Sequence, residues 1–408
     1  MSTRRYVLQA ALAGAASTPW PVLSWAAGPA AAHADSNRFV FLILRGGMDG
    51  LMAVPAIGDP AFAGARGPLA DFNGQPLPLD GTFALNPLLP QLHAMYGSGE
   101  LAVIHATGLP YRDRSHFDAQ QLLESGGSKP HELGTGWLGR ALAQAAPTAG
   151  GLKAVALETA VPLVLRGPLG VDTWAPSTLP EPAPDLVQRL ESMYRNDPAL
   201  AQALARARGL RETPGMGANP QTMGGFGNNA GRRAAVALAT KAAEFLQRGT
   251  QVAVMEMGGW DSHTNAANPN GALSNNLRTL DATLAALKDG LLPGGVWGRT
   301  VVLVATEFGR EVAVNGNGGT DHGTGGVAFL LGGAVRGGRV VADWPGLARQ
   351  DRFEGRDLRV TTDLRAVVRT VLGEHLRVPR AALDASVLPG SAGLRPLDLL
   401  RSGAGLAG

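Results

Sequence analysis

The chain has 408 residues, 36 basic against 33 acidic side chains, a formal net charge of +3 and no cysteine. A balance this close to neutral gives no electrostatic case for nucleic acid, and a chain without cysteines must stand on its core and not on disulfides. The length admits one large α/β domain or two smaller ones.

The N-terminus reads MSTRRYVLQAALAGAAS, with Arg4 and Arg5 ahead of a short, weakly apolar run and no acidic residue before Asp35. Ala32-His33-Ala34 supplies the small-x-small pattern of a cleavage site. Paired arginines before such a segment read as a twin-arginine export leader over residues 1–34. The apolar run is too short to span a bilayer, and no later stretch reaches that length. The expected mature chain is therefore residues 35–408, with no transmembrane segment. It is delivered by the twin-arginine machinery to the periplasm or beyond, and its charge is about +1 once Arg4 and Arg5 are removed.

Six apolar runs then follow in order: FVFLIL (39–44), LAVIH (101–105), KAVAL (153–157), QVAVME (251–256), TVVLVA (300–305) and VAFLLGG (327–333). They are too continuous for half-exposed strands and read as strands buried on both faces. Helical patterns lie between them, at 86–96, 115–124, 185–194, 231–249, 273–290 and 361–376. This alternation predicts an α/β fold, a mostly parallel central sheet flanked by helices on both faces. The stretch 211–231, rich in Gly, Pro and Asn, reads as a loop within a single domain.

Ligands of such sheets sit beyond the carboxyl ends of the strands, so the residues that follow each run carry the information. Asp49 follows the first, and Arg114-Ser115-His116 follows the second at a helix start. Asp261 and His263 follow QVAVME, Glu307 and Arg310 follow TVVLVA, and the loop GGTDHGTGG (318–326) carries Asp321 and His322. Three acids with three histidines form the mixed O/N set that suits zinc or manganese. Asp261 and His263, two apart, project to one side of an extended segment. Neighbours Asp321 and His322 converge only if the backbone turns sharply, which glycine permits. Ser115 is either the N-cap of its helix or a nucleophile whose anionic substrate is held by the helix N-terminus. Arg45, Arg114 and Arg310 are candidate clamps for an anionic ester. His93, His105, His131 and His375 read as structural or solvent-facing residues.

The segments LRGGMDGL, DGTFALNPLLPQLHAMYGSGELAVIHATGLPYRDRSHFDAQ, MGGWDSH and TEFGREVAVNGNGGTDHGTGGVAFLLGGAVRGGRV resemble the exported bacterial family catalogued as domain of unknown function 1501. The likeness runs from about residue 38 to beyond 370. That family is similar in turn to the alkaline phosphatase and sulfatase superfamily. The resemblance implies an alkaline phosphatase-like sheet with two metal ions at its strand ends. It also implies Asp49, Asp261, His263, Asp321 and His322 as metal ligands and Ser115 as nucleophile, with His116 and Arg114 beside it. The Asp261/His263 spacing of two differs from the superfamily's four. The superfamily's further histidine has no clear counterpart, and His116 is the candidate to replace it. One or two ions are therefore expected. The leading expectation is an exported hydrolase of phosphate or sulfate esters, acting on a small anionic ester or an envelope polymer. The alternatives are a secreted binding or assembly protein with a degenerate site, and metal-dependent chemistry in which water attacks without Ser115.

Overall fold

All six apolar runs enter one nine-stranded sheet. The computed structural model describes residues 36–144, 154–176, 184–211 and 228–401. The expected leader and most of the 211–231 segment lie outside the described residues.

In chain order the strands are β1 (Arg38–Leu44), β2 (Leu77–Pro78), β3 (Ala84–Leu85), β4 (Leu101–Gly108), β5 (Ala154–Ala156), β6 (Asp172–Thr173), β7 (Val252–Met257), β8 (Thr300–Thr306), β9 (Gly326–Leu331), β10 (Arg339–Val341) and β11 (Thr362–Asp363). The main sheet runs β10-β4-β9-β8-β1-β7-β5-β6, with β11 paired to β4, while β2 and β3 form a separate ribbon. Every pairing in the main sheet is parallel except those of β9, which is antiparallel to both β4 and β8. The expected mostly parallel sheet is therefore present. One strand is reversed, because a continuous apolar run records burial and not direction.

All seven residues of β1 are buried. Its alternate side chains feed two cores: Val40, Leu42 and Leu44 enter one, and Phe39, Phe41 and Ile43 the other. The first face is covered by α3 (Pro90–Gly97), α8 (Asn229–Gln247) and α9 (Ala272–Leu291), through side chains such as Leu92, Leu238 and Leu280. The second is covered by α4 (His116–Ser125), α5 (Trp137–Gln144) and α10 (Leu364–Thr370), through Leu122, Trp137 and Val367. Two short helices, α1 (Gly50–Ala53) and α2 (Phe62–Arg66), follow β1, and a pair with no buried side chain among the described residues, α6 (Pro184–Tyr194) and α7 (Pro198–Arg211), precedes α8. Burying each large apolar side chain of β1 contributes about 1.5–3 kcal/mol, so Phe41→Ala should cost about 3–5 kcal/mol.

The register places the chemistry. Leu44 pairs with both Met257 and Thr306, so β1, β7 and β8 end level. Thr107, near the end of β4, pairs with Gly326 at the start of the reversed β9. The segments after β1, β4, β7 and β8, and the one before β9, therefore share one rim.

Candidate metal centre

His116 reaches the rim because the chain turns sharply before α4. Arg114 adopts a left-handed φ of 59°, unusual for a residue with a side chain. Its guanidinium is held by Asp357 at 2.8 Å and Glu354 at 2.7 Å. Ser115 is extended and starts the helix, but its hydroxyl makes no capping hydrogen bond.

Residues 307–325 carry the chain from β8 to β9 and fold back along themselves. Glu311 N donates to Asp321 O at 2.8 Å, and Gly323 N donates to Gly309 O at 2.9 Å. Two glycines permit the close approach. A Cβ on Gly319 would stand 2.2 Å from the carbonyl carbon of His263, and one on Gly323 would stand 2.4 Å from that of Arg310. Both contacts are impossible for a larger residue, so the glycines let this loop lie against the segment after β7 and bring Asp321 and His322 to Asp261 and His263.

Three imidazoles and a carboxylate meet there. His322 Nε2 lies 3.1 Å from His116 Nε2, 3.0 Å from His263 Nε2 and 3.2 Å from Asp261 Oδ1. His116 Nε2 is 3.5 Å from Asp261 Oδ2, and His263 Nε2 is 2.9 Å from Asp261 Oδ1. His116, Asp261 and His322 offer ligand atoms all within 4.8 Å of one another.

The far side of each ring shows what this convergence requires. His116 Nδ1 faces Glu307 Oε1 at 2.8 Å, His263 Nδ1 faces Asp321 Oδ1 at 3.0 Å, and His322 Nδ1 faces the carbonyl of Arg114 at 3.1 Å. All three partners accept hydrogen bonds only, so each neutral ring carries its proton on Nδ1 and presents an Nε2 lone pair inward. Lone pairs crowded at these separations beside a carboxylate repel unless a cation lies between them. An ion about 2.0–2.2 Å from each donor sets tetrahedral or octahedral edges of about 3.0–3.5 Å, which spans the separations among His116, His322 and Asp261. The residues therefore fit a divalent metal, and the outer acceptors are the partners that orient metal-binding histidines.

The electrostatics agree. Hydrogen bonding to Glu307 raises the His116 pKa, whereas burial and the neighbouring His116 lower that of His322. Burial pushes the Asp261 carboxyl up, but the hydrogen bond and charge of Arg310 hold it below the usual range. Asn315 and His263 hold Asp321 down in the same way. Glu307, 1% exposed, is pushed up by burial yet lowered overall by His116, Gln120 and Thr306.

The expected site residues separate into groups. Asp261, His263, His322 and His116 converge, the last from beside the expected nucleophile. Asp321 contacts the cluster through the outer nitrogen of His263 and the amide of Asn315, so it stands one shell farther out than the expected ligand position. Asp49 departs furthest. It is 1% exposed, caps α1 through Met52 N at 3.1 Å and pairs with the buried Arg66 at 2.7 Å. Arg45 binds Glu256 and Glu124, Arg114 binds Asp357 and Glu354, and Arg310 binds Asp261 at 2.5 Å. All three expected clamps are thus committed to carboxylates of the chain. Glu307, Thr320 and Arg66 carry roles that sequence reasoning did not assign. Only Glu307 left a trace, as an acid directly after a strand.

A family profile described as "Protein of unknown function (DUF1501)" matches residues 94–387. No curated protein sequence matches the chain. Among solved structures, the PsFucS1 sulfatase from Pseudoalteromonas sp. is similar at 12% identity and a TM-score of 0.41, over 83% of this chain and 68% of that one. The phosphonate monoester hydrolase of Agrobacterium radiobacter aligns at 12% identity and a TM-score of 0.40, over 84% and 74%. The phosphonate monoester hydrolase of Silicibacter pomeroyi aligns at 10% identity and a TM-score of 0.40, over 89% and 78%.

Proposed function

The chain belongs to the family described as protein of unknown function (DUF1501), and from that premise and the geometry of the rim we propose that it is a metal-dependent hydrolase of phosphate or sulfate esters. The observation that carries this reading is the convergence of His116, His322 and Asp261 with every outer imidazole nitrogen held by an acceptor. These residues would hold zinc or manganese. When bound, such an ion neutralises charge on the ester oxygens and makes a nearby hydroxyl more acidic.

The chain supplies the other functions. Ser115 is the assigned nucleophile, lying between Arg114, whose carbonyl orients His322, and the ligand His116, with its hydroxyl free of a capping bond. The N-terminus of α4 offers backbone N–H groups to an anionic ester. His263 moves the proton: Asp321 fixes its Nδ1–H, leaving Nε2 as the base beside the centre. The side chains of His263 and Asp261 are 39% and 43% exposed, which leaves the centre open to substrate. Arg114 acts by positioning, through its carbonyl.

Elemental analysis with aryl phosphate and aryl sulfate turnover tests the reading. The wild type should carry bound metal and turn over at least one ester. Ser115→Ala should keep the ion and lose turnover, and His322→Ala should lose both. Unchanged turnover in Ser115→Ala would assign the attack to water. A folded, ion-free wild type would leave the second reading, a secreted binding or assembly protein, which the withdrawal of Asp49 by Arg66 favours.

Export to the periplasm by the twin-arginine machinery is proposed from the Arg4-Arg5 leader, with a small anionic ester or envelope polymer as substrate. Among the described residues no helix is long and apolar enough to cross a membrane.

A further inference from the structure

The resemblance implies a pair of ions, yet the described residues contain a single group of three metal-ligand side chains close enough to share one. The carboxylate expected to serve a second ion is Asp49, and it is engaged. Its Oδ1 accepts from Met52 N at 3.1 Å, and its Oδ2 accepts from Arg66 Nη2 at 2.7 Å and from Thr320 Oγ1 at 3.4 Å. Arg66 is 0% exposed and is fixed from behind by the carbonyl of Val312 at 3.0 Å.

A second guanidinium continues the line toward the centre. Arg310, with a side chain 0% exposed, donates from Nε to Thr320 Oγ1 at 3.2 Å, from Nη2 to the carbonyl of Thr320, and from Nη1 to Asp261 Oδ1 at 2.5 Å. The result is an unbroken run Arg66–Asp49–Thr320–Arg310–Asp261, from the interior to a metal ligand. A guanidinium carries its charge permanently and forms directional bonds to carboxylates. Asp49, 1% exposed and with both oxygens engaged, is therefore poorly placed to accept a divalent cation, whereas the Asp261 side chain is 43% exposed and turns Oδ2 toward His116 Nε2 at 3.5 Å.

Resting on the metal centre proposed above, we infer that the chain binds one divalent ion, held by His116, His322 and Asp261, and that the Arg66 guanidinium neutralises Asp49 where a second ion would otherwise be bound. Asp49 is thus a structural anion and not a ligand. The cation that meets Asp49 is part of the fold, so it is present without metal uptake and is insensitive to chelators.

The test is stoichiometry, read by native mass spectrometry and elemental analysis of the whole chain titrated with zinc ion and, separately, manganese ion. The expected result is one equivalent that saturates, with no second. Two equivalents in the wild type would overturn the inference while leaving the hydrolase reading intact. No bound ion would overturn both. One ion without ester turnover would sustain the inference and remove the hydrolase reading.

A second arm addresses Asp49 directly. The paired variant Asp49→Asn/Arg66→Gln removes both buried charges together and keeps hydrogen-bonding groups in place. With folding verified by circular dichroism, it should still bind one equivalent, with affinity changed by less than the roughly tenfold that loss of a ligand-supporting partner brings. Loss of the ion from that folded variant would make Asp49 a ligand and overturn the inference. Should the variant not fold, the wild-type stoichiometry decides alone.

Discussion

Two sets of histidines in this chain present their imidazole nitrogens in opposite ways. His116, His263 and His322 are part-exposed on the rim, each with an acceptor on Nδ1 and its Nε2 turned toward the others. His105 and His375 are buried. His105 accepts from Ala106 N at 2.8 Å and meets the carbonyl of Val54 at 2.9 Å, and His375 meets the carbonyl of Arg38 at 2.8 Å. Burial drives both of their pKa values down to about 4. Both nitrogens of His105 are met by backbone, and Nε2 of His375 by a backbone carbonyl, which fixes the interior rings within the fold. The rim rings are oriented by acceptors and left with an unanswered lone pair. The two sets thus differ in what Nε2 meets: a backbone carbonyl in the interior, and another imidazole on the rim.

The largest effects should come from exchanging a member of each set. His322→Ala should lose bound metal altogether, with turnover down by roughly a thousandfold or more, while its unfolding midpoint in urea without added metal stays near that of the wild type. His375→Ala should do the reverse, costing about 2–4 kcal/mol in a urea titration through a cavity and an unpaired carbonyl, with metal content unchanged. If both variants lose metal, the division fails.

A smaller effect is expected from Glu307→Gln. The amide still accepts from His116 Nδ1 but removes the negative charge, so affinity measured by chelator competition should fall about 10–100-fold. Asp321→Asn should leave that affinity closer to wild type and lower turnover, because its ring partner moves a proton. Equal losses of affinity in the two variants would make His263 a ligand.

Acid should act mainly on the interior set. His105 and His375 titrate near 4 when folded against an ordinary value of 6.5, so the unfolded chain binds protons first. Their contribution is fully present above about pH 6.5 and is lost as the pH falls through 4. By pH 5 the loss is roughly 2 kcal/mol per ring. Urea unfolding of the metal-free protein at pH 7 and pH 5 measures it, and a double His105→Phe/His375→Phe variant should show a flatter dependence.

Much of the framework was legible in the amino-acid pattern. Each apolar run such as FVFLIL became a strand of the main sheet, because burial on both faces demands such continuity. The rim followed from the rule that parallel strands present their carboxyl ends together, which placed Asp261, His263 and His322 in one region. The adjacency of Asp321 and His322 suggested two ligands. Whether both side chains reach the same point depends on backbone turns that composition does not specify, and one of them turned outward to His263. Asp49 stood out by following the first strand, and its buried partner Arg66 left no signal, since it ends a five-residue helix without periodicity. His116, the candidate for the superfamily's further histidine, does meet Asp261 and His322. The direction of β9 was invisible because its neighbours bury it equally in either sense.

That reversed strand governs when the centre can be assembled. The Asp321–His322 arch is clamped at one end by β8 and at the other by β9, whose partners include β4, over two hundred positions earlier in the chain. His116 and Asp261 emerge first during synthesis and must wait for a hairpin-like return near residue 331 before their third companion is in place. A product ending after β8 would contain most of the sheet and lack His322. Convergence of the three side chains is consequently a late event, open only to a nearly complete polypeptide.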